Sequence, residues 1–128
     1  MKTDRQFLII DDNEIDQLVT QQLLKKDLGA VEVAQAGNGI EAMQWIRDLK
    51  SDLPNSLVII LDVRMPLMDG FQFLDAFESL NEDLKKMTKI IMLSSTLDPR
   101  DIEQAEAHKN VIQLFSKPLP IKKLQALI

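Results

Sequence analysis

The chain has 128 residues, the size of one ordinary domain, and 15 Lys and Arg against 20 Asp and Glu give it a formal net charge of −5. With no cysteine and one histidine, it excludes a disulfide framework, thiolate zinc sites, cysteine catalysis and a multi-histidine metal site. The acidic balance argues against direct nucleic-acid binding through the phosphate backbone, and 45% hydrophobic with 27% charged residues suits a soluble globular chain.

No apolar run approaches the roughly 18 residues that would span a bilayer. Near the start only Phe7 to Ile10 are apolar in a row, and two aspartates follow, unlike a secretory signal. The expectation is a single cytoplasmic domain over residues 1–128 without membrane insertion.

Phe7–Ile10 predicts the first strand, and Asp11 and Asp12 stand directly after it. Ile15, Leu18, Val19 and Leu23 then follow the spacing of one apolar helix face. Asp12 or Asn13 can cap that helix, Lys25 and Lys26 suit its negative end, and Gly29 stops it. Val31–Ala34 is a weaker second strand. Asn38 and Glu41 suggest a capping box ahead of a helix carrying Ile40, Met43 and Ile46. Residues 50–56 are polar and read as a loop. Leu57–Leu61 predicts a third strand ending at Asp62, and Phe71, Leu74 and Phe77 mark a helix after Asp69 and Gly70. Ile90–Leu93 predicts a fourth strand followed by Ser94, Ser95 and Thr96. Asp98 and Pro99 fit an N-cap and first helical position for a helix through Ala105. Val111–Phe115 is a fifth strand followed by Lys117 and Pro118, whose peptide bond can be cis. Ile121, Leu124 and Leu127 mark a last helix. His108 reads as a solvated residue at a helix end, Met65, Met68, Met87 and Met92 as packing, and Trp45 as a packing residue at the second helix.

Strands alternating with helices imply right-handed crossovers and a doubly wound parallel sheet with helices on both faces. Continuous apolar runs of four or five residues fit strands buried on both sides. Ligands of such sheets bind beyond the carboxyl ends of the strands. There the order of elements gathers Asp11, Asp12, Asp62, a Ser94 or Ser95 hydroxyl and Lys117. Carboxylates crowded together repel, on the order of 4 kcal/mol for unit charges about 4 Å apart at an effective dielectric near 20, so such a cluster calls for a cation. Oxygen donors without Cys or convergent His select a hard ion, and Mg²⁺ is the natural one. Carboxylate, metal, hydroxyl and ammonium together form the parts of a phosphoryl-transfer site.

Four segments, in order after the right strands, carry a family resemblance: Ile10-Asp11-Asp12-Asn13, Leu61-Asp62-Val63-Arg64-Met65-Pro66-Leu67-Met68-Asp69-Gly70, Ile91-Met92-Leu93-Ser94-Ser95 and Ser116-Lys117-Pro118. Over essentially its whole length the chain resembles the receiver domains of bacterial two-component response regulators, the CheY-like family. The resemblance implies a flavodoxin-like three-layer fold with five strands in the order 2-1-3-4-5. It implies Asp62 as phosphoacceptor, with Mg²⁺ held by Asp11, Asp12, Asp62 and the backbone carbonyl of Arg64. It implies Lys117 and Ser94 as the phosphoryl contacts, and Arg64 and Thr96 as flanking residues that tune the lifetime of the phosphoaspartate. Implied partners are a sensor histidine kinase or a histidine phosphotransfer protein, and a downstream protein that the residues do not name. The implied role is a signalling switch, not an enzyme beyond its own phosphorylation and dephosphorylation.

Leu114 departs from the pattern, since receivers often carry Tyr or Phe at that place and use the ring to relay the switch. It favours an alternative, a receiver-fold interaction module that works without phosphorylation. A Mg²⁺-dependent phosphohydrolase is a weaker alternative: Arg64 stands where a second catalytic acid would be, and no substrate-cap insertion is evident.

Overall fold

The computed structural model describes residues 5–30, 32–49 and 56–128. Val31, where the second strand was expected to begin, and nearly all of the expected loop at 50–56 lie outside the described residues. The elements run β1 (Arg5–Ile10), α1 (Glu14–Leu28), β2 (Val33–Ala36), α2 (Gly39–Leu49), β3 (Ser56–Asp62), α3 (Gly70–Phe77), α4 (Glu82–Lys86), β4 (Thr88–Ser94), α5 (Pro99–Glu106), β5 (Val111–Ser116) and α6 (Ile121–Leu127). The five strands form one sheet in the order β2-β1-β3-β4-β5, and every neighbouring pair is parallel, as expected.

Side chains alternate across the sheet, so each central strand feeds two cores. One face gathers Leu8, Ile10, Leu57, Ile59, Leu61, Ile90 and Met92 under α2, α3, α4 and α5. The other gathers Phe7, Ile9, Val58, Ile60, Ile91 and Leu93 under Leu24 of α1 and Leu124 of α6. Burial on both sides explains why β1, β3 and β4 are runs without polar alternation. Met65, Met68, Met87 and Met92 all pack into or against the first core, as does Trp45.

The caps explain where the helices begin. The Asn13 side chain accepts from the Ile15 and Asp16 N–H groups, and Gly29 ends α1 at φ 67° in the left-handed region. Asn38 accepts from the Glu41 N–H, but the Glu41 carboxylate takes the Gly37 N–H, one residue before the position a capping box requires. Asp98 caps α5 with Pro99 in its first turn.

Four further sequence expectations need correction. Ile15, Leu18 and Val19 are exposed by 72%, 51% and 41%, so this part of the apolar stripe of α1 faces outward; Leu23 of the same stripe packs partly buried against the second core, and Thr20 and Leu24 face the sheet. Ile40 is likewise exposed, and only Met43 and Ile46 of its trio are buried. The second strand lies two residues later than expected. His108 is not solvated: its side chain keeps 14% exposure, and Nε2 lies 2.6 Å from the Glu78 carboxylate. No helix among the described residues is long and apolar enough to cross a membrane.

Candidate functional site

The carboxyl ends of β1 and β3 deliver the acids. Asp11 directly follows β1, and Asp62 is the last residue of β3; both are buried, whereas Asp12 is exposed. A carboxylate oxygen from each of these three residues lies within 4.8 Å of the others. These hard oxygen donors with no sulfur or imidazole among them suit a small divalent cation such as Mg²⁺.

Lys117 arrives from the end of β5. Its Nζ lies 3.0 Å from Asp11, 3.4 Å from Asp62 and 2.8 Å from Asp16. Sequence reasoning missed Asp16. It sits in the first turn of α1, set by the Asn13 cap, and the only available signal was an acid one helical turn after Asp12. Gln17 also escaped notice; its amide donates to the Asp11 and Ala36 carbonyls and ties α1 to the ends of β1 and β2.

The acids and the lysine oppose each other electrostatically. Burial raises the Asp62 pKa, the nearby Asp11 charge raises it further, and Lys117 and the Arg64 N–H lower it; the balance leaves it near 6 against an ordinary 3.8. For Lys117, burial disfavours the charged form, but hydrogen bonds to Asp16 and Asp11 and the charges of Asp62 and Asp11 outweigh it and hold the pKa above its usual value. Asp62 is thus the destabilised member of the cluster, and Lys117 the firmly charged one.

The loop after β3 is shaped around this acid. Gly70 N–H donates to the Val63 carbonyl at 2.9 Å. A Cβ on Gly70 would lie 2.6 Å from the Asp62 carbonyl oxygen and 2.9 Å from Met92, so the close return of the chain requires glycine. Asp69 and Gln72 close a full capping box at the start of α3. Leu67 holds φ 69° and is 78% exposed.

Ser94 ends β4 beside Asp62, whose strand partner is Leu93. Its buried hydroxyl donates to the Thr96 carbonyl, and its own carbonyl accepts from the Lys117 N–H at 2.9 Å. Thr96 is exposed in the following loop. The Arg64 side chain does not lie over Asp62; it reaches Asp101 of α5, with 2.7 Å between Nη2 and Oδ2. Leu114 is buried in the core beneath α5, while the neighbouring Phe115 packs on the opposite face of the sheet. Phe115 is therefore not a displaced version of the missing aromatic. The Lys117-Pro118 bond is cis.

Residues 7–128 match the family described as the response regulator receiver domain. The chain is 33% identical over 123 residues to protein-glutamate methylesterase/protein-glutamine glutaminase 1 of Methanospirillum hungatei, covering 92% of this chain and 32% of that protein, so it spans about a third of that relative's length. It is 32% identical over 121 residues to a probable chemotaxis protein CheY of Rhizobium etli, covering 94% of this chain and 87% of that one. Among solved structures it is similar to a response regulator receiver protein from Dyadobacter fermentans, at a TM-score of 0.88 and 36% identity over 96% of this chain and 94% of the other.

Proposed function

The chain belongs to the response regulator receiver domain family, and from that premise we propose that it is a single receiver domain whose state is set by phosphorylation of Asp62. The observation that carries the reading is the convergence of Asp11, Asp12, Asp62 and Lys117 in one pocket at the carboxyl edge of the sheet.

An Asp62 oxygen attacks the phosphorus of a donor phosphohistidine; the P–O bond forms, the P–N bond breaks, and the electron pair leaves with the imidazole, which takes up a proton. Near pH 7 most Asp62 is ionised, since its pKa lies near 6, and it is the carboxylate that attacks. Asp11, Asp12, Asp62 and the Arg64 carbonyl would hold Mg²⁺. When bound, the ion neutralises charge on the transferring phosphoryl oxygens. Lys117, already charged and 3.4 Å from Asp62, pairs with the same oxygens. Ser94 exchanges its bond to the Thr96 carbonyl for one to the phosphoryl group, drawing the β4–α5 loop inward. The protein's own turnover is limited to forming and hydrolysing this acyl phosphate.

The donor is a histidine kinase or a histidine phosphotransfer protein. Support comes from the exposed apolar residues: Ile15, Ile40, Leu67 and Leu97 follow the ends of four successive strands and so rim the acidic pocket, and Leu18 and Val19 extend the rim down α1. An apolar rim around a charged mouth suits a helical partner that presents one reactive side chain.

Leu114 favours a second reading, an interaction module indifferent to phosphorylation. One experiment separates the two. The chain is incubated with Mg²⁺ and acetyl phosphate and its intact mass measured. The switch reading expects a gain of one phosphoryl group that is absent in Asp62→Asn. No gain at saturating donor removes it.

A further inference from the structure

We propose that Arg64 and Asp101 form a switchable ion pair, in which Asp101 is a positioning residue that holds the Arg64 guanidinium on α5 until a phosphoryl group on Asp62 draws it away. The inference rests on Asp62 as phosphoacceptor and adds how the event reaches α5.

Arg64 stands at the hub of the site. Its backbone N–H bonds the Asp62 carboxylate, while its side chain crosses to α5 and meets Asp101 at 2.7 Å. The two halves of the pair differ in surroundings: the Arg64 side chain is 65% exposed and that of Asp101 only 10%. An exposed guanidinium gains little from a single carboxylate in water. A phosphoryl group brings roughly −1.5 to −2 charges and three acceptor oxygens that match the guanidinium fork, a stronger claim on the same cation. Arg64 can therefore change partners cheaply.

Asp101 cannot. Once Arg64 leaves, a buried carboxylate loses its cation, and such a group is costly to strand. Asp101 lies in the first turn of α5, where the positive end of the helix offsets part of that penalty, so the expected response is loosening of the turn and not loss of the helix. The Asp98–Arg100 pair within the same turn stays intact because it involves neither partner. The link also answers the Leu114 departure. Leu114 packs beneath α5 without a polar atom, and Phe115 faces the other way, so neither side chain can report the phosphoryl charge through a hydrogen bond. The Arg64–Asp101 pair can.

The test uses the full chain with Mg²⁺ and beryllofluoride as the phosphoryl mimic. Fluorine NMR reports whether the mimic is bound, and amide exchange reports residues Arg100–Ala105. In the wild type, bound beryllofluoride is expected to shift the Arg64 Nε–H resonance and to speed exchange in these amides about fivefold or more. Asp101→Asn leaves no carboxylate to strand, so it is expected to keep the slow exchange of the unliganded wild type and to respond less than about twofold when the mimic binds. Arg64→Ala, at an exposed side chain, strands Asp101 and is expected to exchange at the faster rate without the mimic; it serves if the Asn variant fails to fold. Bound mimic with unchanged exchange and an unmoved Arg64 signal overturns the inference and leaves the phosphoacceptor reading standing. Wild-type exchange in unliganded Arg64→Ala also overturns it. Absence of any bound fluorine signal removes the phosphoacceptor reading and the inference with it.

Discussion

Asp62→Asn should make the metal-free protein more stable at neutral pH, although it removes the residue on which function is proposed to turn. The folded state raises the Asp62 pKa from 3.8 to about 6, through burial first and the Asp11 charge second. Between these values the folded protein keeps a proton that the unfolded chain has released. Stability therefore falls as pH rises through this window, and the full penalty stands above pH 6. At about 1.36 kcal/mol for each whole step in pKa, the rise corresponds to on the order of 3 kcal/mol. Asparagine removes the charge and keeps the shape. Lys117 loses one partner but retains Asp11 at 3.0 Å and Asp16 at 2.8 Å, so the net gain expected is about 1–3 kcal/mol. The assay is urea unfolding followed by far-ultraviolet circular dichroism in EDTA at pH 4 and pH 7. The variant should exceed the wild type at pH 7, and the two should converge toward pH 4. A variant equal to or weaker than the wild type at pH 7 refutes the electrostatic reasoning.

Lys117→Ala leaves Asp11, Asp16 and Asp62 without their shared cation, and a stability loss of roughly 3 kcal/mol at pH 7 in EDTA is expected. Added Mg²⁺ should recover much of it in thermal melts, and no recovery would count against a cation site. Gly70→Ala drives a Cβ to 2.6 Å from the Asp62 carbonyl oxygen, so chemical denaturation should show a loss of about 1–3 kcal/mol, with weaker Mg²⁺ binding by calorimetry. Leu67→Asn relieves a left-handed backbone on an exposed residue; a gain of up to about 1 kcal/mol is expected, and a loss would mean the Leu67 side chain contributes contacts that its 78% exposure does not suggest.

The interior of this fold was legible because the central strands are buried on both faces and carry their signal in unbroken apolar runs, as at Phe7–Ile10 and Leu57–Leu61. The edge strand β2 has one neighbour and a mixed composition, and its expected position was off by two residues. The α1 stripe had the right period, but three of its four residues point away from the core and only Leu23 packs against it. Periodicity reports that Ile15, Leu18 and Val19 share a face, but not whether that face meets the core or a partner. Helix α4 spans only Glu82–Lys86, too short for any period to declare itself. In the site, residues directly after strand ends were readable in sequence. Asp16 and Asp101 were not, because each enters through a helix and meets its partner at long range: Lys117 stands 101 positions from Asp16, and Arg64 37 from Asp101. His108 looked solvated for the same reason, since its contact with Glu78 comes from the turn after α3.

The most direct test of the account is to locate the covalent mark. Borohydride reduces an acyl phosphate to an alcohol, so protein treated with Mg²⁺ and acetyl phosphate, then reduced and digested, should yield homoserine in place of aspartate at position 62. A mark that falls on Asp11, Asp12 or Asp16 instead, or no reducible mark at all, would contradict the assignment of Asp62 as the phosphoacceptor.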